Sequence, residues 1–434
     1  MRLPGYAEYK QIKANWFSRL PAGWQVRRLS SLARVVNGYP FDAARFTPNR
    51  GFPLIRIRDL GRALTETNYD GPFVEAAAVT SDDLLIGMDG DFNVGRWLGS
   101  GRGLLNQRMC CVRGLTPAIT RFLEYALPFP LQAINDVTYS TTVKHLSSLA
   151  VEKIRVPAPC DNDLDTILQF LDRETAKIDA LVGEQERLIE LLKEKRQAVI
   201  SHAVTKGLNP SAPMKDSGHA WIGSVPTHWD IVKMKWVATM DSGHTPDRKI
   251  PEYWDGDIPW VSLNDTAYLK DHEYVSETAF RITERGIANS SAHLLPERAV
   301  VFSRDATIGR CAITTKPMAV SQHFIAWICG ERLVPEYLLL RFRSMGPELD
   351  SLTTGATLKT IGMPEVRTLM TPLPPVDEQR SIVKGVRQTT STIDALIAHV
   401  EHLVTLLQER RTALISAAVT GQIDVRAAAE RSAA

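Results

Sequence analysis

The feature that most constrains this chain is a stretch that it contains twice. Ile178 to Thr205 recurs as Ile393 to Thr420 at a fixed offset of 215, with 16 of 28 residues identical, so the two are copies of one element. Apolar residues fall every seven positions in both: Leu171, Ile178, Leu192 and Val199 in the first, Val386, Ile393, Val400, Leu407 and Leu414 in the second. A second row three residues further on, Leu181 and Leu188 with Leu396 and Leu403, completes an a/d heptad and predicts two long helices with a coiled-coil seam. Asp161, Asn162 and Asp163 supply caps for the first helix and Gly207 with Pro210 stops it, while Pro374, Pro375 and Asp377 open the second and Gly421 closes it. At 1.5 Å per residue each would run for roughly 60 Å. Matched length, register and sequence favour pairing of the two helices with each other.

The repeat reaches beyond the helices. Tyr9-Lys10, Trp16, Pro21 and Trp24 match Met214-Lys215, Trp221, Pro226 and Trp229 at an offset of 205. By Thr142-Val143-Lys144, which matches Thr357-Leu358-Lys359, the offset has become 215, so the second half carries ten more residues between these anchors. A unit of roughly 210 residues is a duplicated domain, too long for a solenoid repeat. The expected division is a globular segment over 1–160, a long helix over 161–208, a second globular segment over 209–375, a second long helix over 376–424, and a disordered Ala-rich tail over 425–434. Pro53 to Arg58, Ile258 to Ser262, Met109 to Val112 and Phe324 to Ile328 read as short strands among loops rich in Gly, Asn and Asp, which makes each globular segment mixed α and β. The four tryptophans are read as packing the base of each segment.

Composition excludes more than it suggests. A net charge of +2 confines any nucleic-acid surface to a local patch. The five cysteines form no C-x-x-C pair and point to reduced thiols; Met1 to Lys10 has no signal-peptide core, and no apolar run is long enough for a membrane span, so a cytoplasmic location is expected. No phosphate-binding G-x-x-x-x-G-K-[ST], no G-x-G-x-x-G after a strand, no amino-methyltransferase Asn/Asp-Pro-Pro-aromatic stretch and no His or Cys pair at metal-ligand spacing is present. His202 reads as a structural helix residue, and the acidic pairs Asp82-Asp83 and Asp255-Gly-Asp257 as solvated loops. The expectation is a chain that is not an enzyme and binds neither cofactor nor metal.

A duplicated frame of opening Trp, variable segment, Pro-rich exit (Pro372-Leu-Pro-Pro-Val-Asp-Glu-Gln379) and Ile-Asp-Ala-Leu helix resembles the specificity subunit of type I restriction-modification systems. Gly243-His-Thr-Pro246 and Gly256-Asp-Ile-Pro-Trp260 fit that family's pattern best, and the likeness runs from Tyr6 to Ile423. The first exit departs from it, with Cys160-Asp-Asn-Asp163 where the second has Pro375-Val-Asp-Glu378. The resemblance implies an α+β fold: two mixed α/β target-recognition domains separated by two long helices in an antiparallel coiled coil, with an internal pseudo-twofold repeat. It implies that each domain reads one half of a bipartite site in double-stranded DNA. It also implies two methyltransferase (modification) subunits and two ATP-dependent restriction subunits as partners, which would bring S-adenosylmethionine, ATP and Mg. The alternative is a coiled-coil adaptor whose two domains bind protein or peptide.

Base readout calls for Arg, Asn and Gln, and backbone contact for Lys, Arg, Ser and Thr. The first variable segment offers Arg56, Arg58, Asn93, Arg96, Arg102, Gln107 and Arg108; the second offers Arg248, Lys249, Asn264, Arg304, Arg310, Gln322 and His323. Positions that match between the copies, Arg96 with Arg310, Gln107-Arg108 with Gln322-His323, and Thr142 and Lys144 with Thr357 and Lys359, are better candidates for shared backbone contacts than for sequence-specific ones.

Overall fold

The computed structural model describes residues 4–14, 16–137, 144–354 and 359–426. It divides into two units, Met1–Gln185 with His402–Ala434, and Glu186–Glu401. Each holds one globular segment and a stretch of both long helices.

In the first unit a four-stranded antiparallel sheet runs Val94–Gly95, Leu84–Gly87, Met109–Gly114, Ala33–Asn37. Its central strand begins with four buried residues, Met109 to Val112, as expected for a short apolar run covered on both faces. Helix Pro117–Ala126 follows, capped by Thr116, whose hydroxyl accepts from the Ile119 N–H. A second sheet contains Phe52–Ile55 parallel to Gly103–Leu105. The second unit repeats this plan, with Ala238–Ser242, Phe324–Cys329, Val300–Ser303 and Cys311–Thr314 in one sheet and Trp254–Val261 parallel to Ala319–Val320 in the other. The two sheets meet so closely that a Cβ on Gly38 would stand 2.0 Å from the Asn106 carbonyl oxygen, and one on Gly243 1.7 Å from that of Val320. Only glycine fits at either place. The exit strands pair back onto the openings, Arg155–Ala158 with Gln25–Arg28 and Met370–Leu373 with Asp230–Lys233.

The long helices span Asp161–Lys206 and Val376–Val419, each followed by a left-handed glycine, Gly207 at φ 73° and Gly421 at φ 64°. They lie antiparallel within each unit: Arg411 pairs with Asp179 at 2.7 Å in the first, and Arg196 with Asp394 at 2.8 Å in the second. These two ion pairs are equivalent under the repeat, since Asp179 matches Asp394 and Arg196 matches Arg411.

The covered stripe corrects half of the expected seam. The row every seven residues is confirmed by buried Leu171, Ile178, Val386 and Ile393. Its companion lies four residues on instead of three: Thr175, Val182, Ile189, Arg196 and Ala203, matched by Thr390, Ile397, Val404, Arg411 and Ala418, are all at least partly covered. Leu181 and Leu188 point outward at 45% and 39% exposure, as do Leu396 and Leu403 at 48% and 42%. Arginine is tolerated in the covered stripe because its long stem packs while its guanidinium reaches the facing Asp.

The helix openings differ as the two exits do. Gln379 is fully buried; its carbonyl accepts from Val334 N–H at 2.8 Å and its amide donates to the Arg332 and Pro374 carbonyls, both at 2.8 Å. This one side chain ties helix, exit strand and the start of helix Pro335–Ser344. The first copy has Leu164 there, and Asp163 instead accepts from the Trp24 indole N–H at 2.9 Å. Trp24 and Trp229 are buried, and Trp16 stacks on Phe129, but Trp221 is 55% exposed and does not pack the base of its domain. Of the tail expected to be disordered, residues 427–434 lie outside the described residues; Val425 is fully buried in the first unit's core with Trp24 and Leu171.

Candidate nucleic-acid interface

The candidate residues fall at three places in each unit. The first is the end of the main sheet, where the turn into its central strand carries Gln107 and Arg108 in one copy and Gln322 and His323 in the other. Arg108 donates to Asp89 at 2.6 Å, and His145 Nδ1 stands 2.7 Å from the other Asp89 oxygen. Burial would push the Asp89 carboxyl up, but the hydrogen bonds from His145 and Arg108 hold it below the usual carboxylate range. Asn93 is exposed on the same hairpin loop as Asp89. Lys144 donates to the Asn135 carbonyl at 2.7 Å and to its side-chain oxygen at 2.6 Å. In the second unit His323 Nδ1 lies 2.7 Å from Asp305, which also accepts from the Thr360 hydroxyl. Gln322 is exposed and accepts from Thr245, Lys359 is exposed, and Arg304 is half-buried with its guanidinium on the Gln322 and Ile361 carbonyls. Thr142 and Thr357 lie outside the described residues.

The second place is the second sheet, where the two copies differ most: five strands in the first unit and three in the second. Arg56 and Arg58 are not in a strand, since Phe52–Ile55 ends before them and a 3-10 turn over Ile57–Asp59 takes over. The cause is buried Asp59, whose carboxylate accepts from the N–H groups of Arg56 at 2.8 Å and Glu66 at 3.1 Å. Asp265 does the same for Ser262 and Ala279 in the second copy, leaving Asn264 exposed on its turn. Arg56 donates to Thr67, Arg58 to Glu66, and Arg102 pairs with Glu75 while lying 4.7 Å over the Phe73 ring. In the second unit exposed Arg248 borders a hollow of about 260 Å³ with Trp254, Asp255 and Phe280, and Lys249 is exposed beside it.

The third place faces the long helices. Arg96 is committed inside its unit, to Glu124 at 2.9 Å and to the Asp82 carbonyl at 2.7 Å. Its neighbours Val94 and Glu124 line a cleft of about 660 Å³ closed by Arg411, Thr412 and Ile415 of the second long helix. Arg310 lines the matching cleft of the other unit, about 810 Å³, closed by Arg196, Gln197 and Ile200 of the first long helix. Arg411, Thr412 and Ile415 occupy the same positions of the repeat as Arg196, Gln197 and Ile200.

Asp89 and Asp305 do not stand out in the sequence, because their alignment needs an offset of 216 where their partners His145 and Thr360 need 215. The aligned pairs Asp89-Gly90 and Asp305-Ala306 were the available signal. Asp83, read as a loop acid, is buried and holds Arg113 through two hydrogen bonds at 2.7 and 2.9 Å. Among the described residues no group of three or more His, Cys, Asp or Glu is arranged to hold a metal ion. No helix among them is long and apolar enough to cross a membrane.

A family model described as the type I restriction modification DNA specificity domain matches residues 21–191 and again 226–402. The EcoBI type I restriction enzyme specificity subunit of Escherichia coli is 27% identical over 419 residues, covering 94% of this chain and 88% of that one. The MjaIX specificity subunit of Methanocaldococcus jannaschii is 32% identical over 163 residues, 37% of this chain and 38% of its own. In fold, the chain matches one from a solved structure concerned with complex assembly and conformational transition of the type I R-M system, at TM-score 0.68 and 18% identity, covering 93% of this chain and 99% of that one.

Proposed function

Because the chain belongs to the type I restriction-modification DNA specificity family, we propose that its two domains, over 1–160 and 209–375, each read one half of a bipartite DNA site, and that the helices over 161–208 and 376–424 set the spacing between the halves. The observation that carries this reading is one frame built twice with two different second sheets, of five strands and of three. A shared main sheet and shared Asp-centred turns suit contacts common to any sequence, while Arg56, Arg58 and Arg102 against Arg248, Lys249 and Asn264 suit different bases. Arg96, committed to Glu124 and Asp82, and Arg310, which lines the cleft closed by the first long helix, drop out of the set proposed to touch DNA.

The same repeat supports two docking positions for modification subunits. Each long helix leaves a leucine stripe exposed, Leu181, Leu188 and Leu191 on the first and Leu396, Leu403 and Leu406 on the second. Each unit also has its cleft beside the Arg–Asp pair of the helices. An exposed leucine row on an otherwise charged helix marks a surface that a further helix covers. In this reading S-adenosylmethionine, ATP and Mg belong to the modification and restriction subunits, the chain catalyses nothing itself, and the complex works in the cytoplasm.

Reconstitution tests this. The chain with an adenine-type modification subunit should bind and methylate duplex DNA at a split motif, and the chain alone with S-adenosylmethionine should methylate nothing. Methylation by the isolated chain, or a complex indifferent to DNA sequence, would overturn the proposal.

A further inference from the structure

Asp89 and Asp305 occupy one position of the repeat and sit in the same net of backbone bonds. Met88 N–H donates to the Arg108 carbonyl at 2.9 Å, and Arg304 N–H to that of His323 at 3.0 Å. Leu146 N–H donates to Met88 at 2.7 Å, and Ile361 N–H to Arg304 at 2.9 Å. Gly90 N–H donates to Lys144 at 3.1 Å, and Ala306 N–H to Lys359 at 2.9 Å. Both donors are left-handed, Gly90 at φ 77° and Ala306 at φ 59°, the second without glycine's freedom. Isolated β-bridges join Asp89 to His145 and Asp305 to Thr360. The carboxylate clamps the same two segments in both units although its partners have changed, from Arg108 and His145 to His323 and Thr360.

A carboxylate on a DNA-binding surface repels phosphate, so its presence in both copies needs a reason. Both are largely covered, with 8% of the Asp305 side chain and 14% of the Asp89 side chain exposed, and both spend their lone pairs on donors that project toward solvent. Resting on the DNA-recognition reading above, we infer that Asp89 and Asp305 are positioning residues for contact with the DNA backbone. Each locks the segment bearing Lys144 or Lys359 to the turn bearing Gln107-Arg108 or Gln322-His323. The donors then meet phosphates as one preset surface, without the ordering that free side chains and loops would require on binding.

The sign of the effect makes the test decisive. Removing a negative charge beside phosphates would by itself tighten binding, and loss of positioning weakens it. The chain in complex with its modification subunits is titrated, over a range of salt, against a duplex carrying the site methylated in its host and against an unrelated duplex. Asp305→Asn should bind both about five- to tenfold more weakly, with a shallower salt dependence, because phosphate contacts are lost. Lys359→Ala should behave alike, and the double variant should be no weaker than the worse single one, since both act through one surface. Thr360→Val, which removes one arm of the clamp, should fall between wild type and Asp305→Asn, and it carries the test should Asp305→Asn fail to assemble. Equal or tighter binding with an unchanged salt slope, or effects of Asp305 and Lys359 that multiply, would overturn the inference. A wild-type complex that does not bind DNA would instead overturn the reading on which it rests.

Discussion

The outward turn of the leucine row makes a prediction opposite to the one an a/d heptad suggests. Ile178 and Ile393 are 6% and 4% exposed, whereas Leu188 and Leu403 are 39% and 42% exposed, and each pair is related by the repeat. Truncating a buried Ile to Ala removes packing and leaves a cavity, at a cost of about 2–4 kcal/mol. A fully buried Leu contributes about 1.5–3 kcal/mol. With two fifths of the side chain already in water and no closed cavity to leave, about 1 kcal/mol or less remains for Leu188→Ala, partly offset by the better helix propensity of Ala. At about 2–4 °C per kcal/mol for a unit of this size, Ile178→Ala or Ile393→Ala should lower Tm by about 4–16 °C and the leucine variants by no more than about 4 °C. Circular dichroism melting separates these ranges. The ranking should reverse in assembly: Leu188→Asp and Leu403→Asp should leave the fold intact yet lose capture by a tagged modification subunit. Leucine variants as destabilised as the isoleucine ones would refute the four-residue offset of the covered stripe, and undiminished capture would refute docking on the leucines.

The buried pair in the second unit offers a stability test. Arg341 is 2% exposed and its guanidinium, pushed down by burial, is held at 2.7 Å by Glu348; Glu348→Ala should cost about 3–5 kcal/mol in chemical denaturation, and the additional change Arg341→Met should restore most of it. Arg96→Ala, which breaks the contacts to Glu124 and Asp82, should lower Tm while leaving the salt slope of DNA binding by the complex unchanged; a flatter slope would return Arg96 to the DNA surface. Four residues inserted at matching points of both helices, near Glu186 and Glu401, add about 6 Å to the pair and keep the stripe in contact as a stutter. At about 3.4 Å per base pair the methylated motif should keep its outer bases and gain one or two unspecified ones, and an unchanged spacer in an active variant would show that the helices do not set it.

The duplication, both long helices with their closing glycines, and the family resemblance were legible because each depends on local pattern; the expected capping residues Asp161 to Asp163 instead lie within the first turn of their helix. The seam offset was not, since the three-residue row is leucine and the four-residue row mixes Val and Ile with Thr175, Thr390, Arg196 and Arg411. Composition favoured the wrong row, because the partners that make arginine acceptable there, Asp394 and Asp179, lie about 200 residues away. Arg56 and Arg58 were placed on a strand by an alternating pattern that Asp59 interrupts through its bonds to backbone N–H groups. Arg96 and Arg310 share a position in the repeat, but a shared position equally preserves a role inside the unit, such as the bonds of Arg96 to Glu124 and Asp82. The Asp89 and Asp305 clamps depend on contacts 56 and 55 residues along the chain, beyond any local periodicity.

Independent reading by two domains is tested most directly by replacing Asn37 to Leu131 with the corresponding segment of a related chain and mapping methylated sites across the genome of a host carrying the complex. The exchange leaves the long helices and the second unit's segment untouched. One half of the methylated motif should change while the other half and the spacer stay as they were. A motif in which both halves change together, or neither does in an active complex, would contradict the assignment of one half-site to each domain.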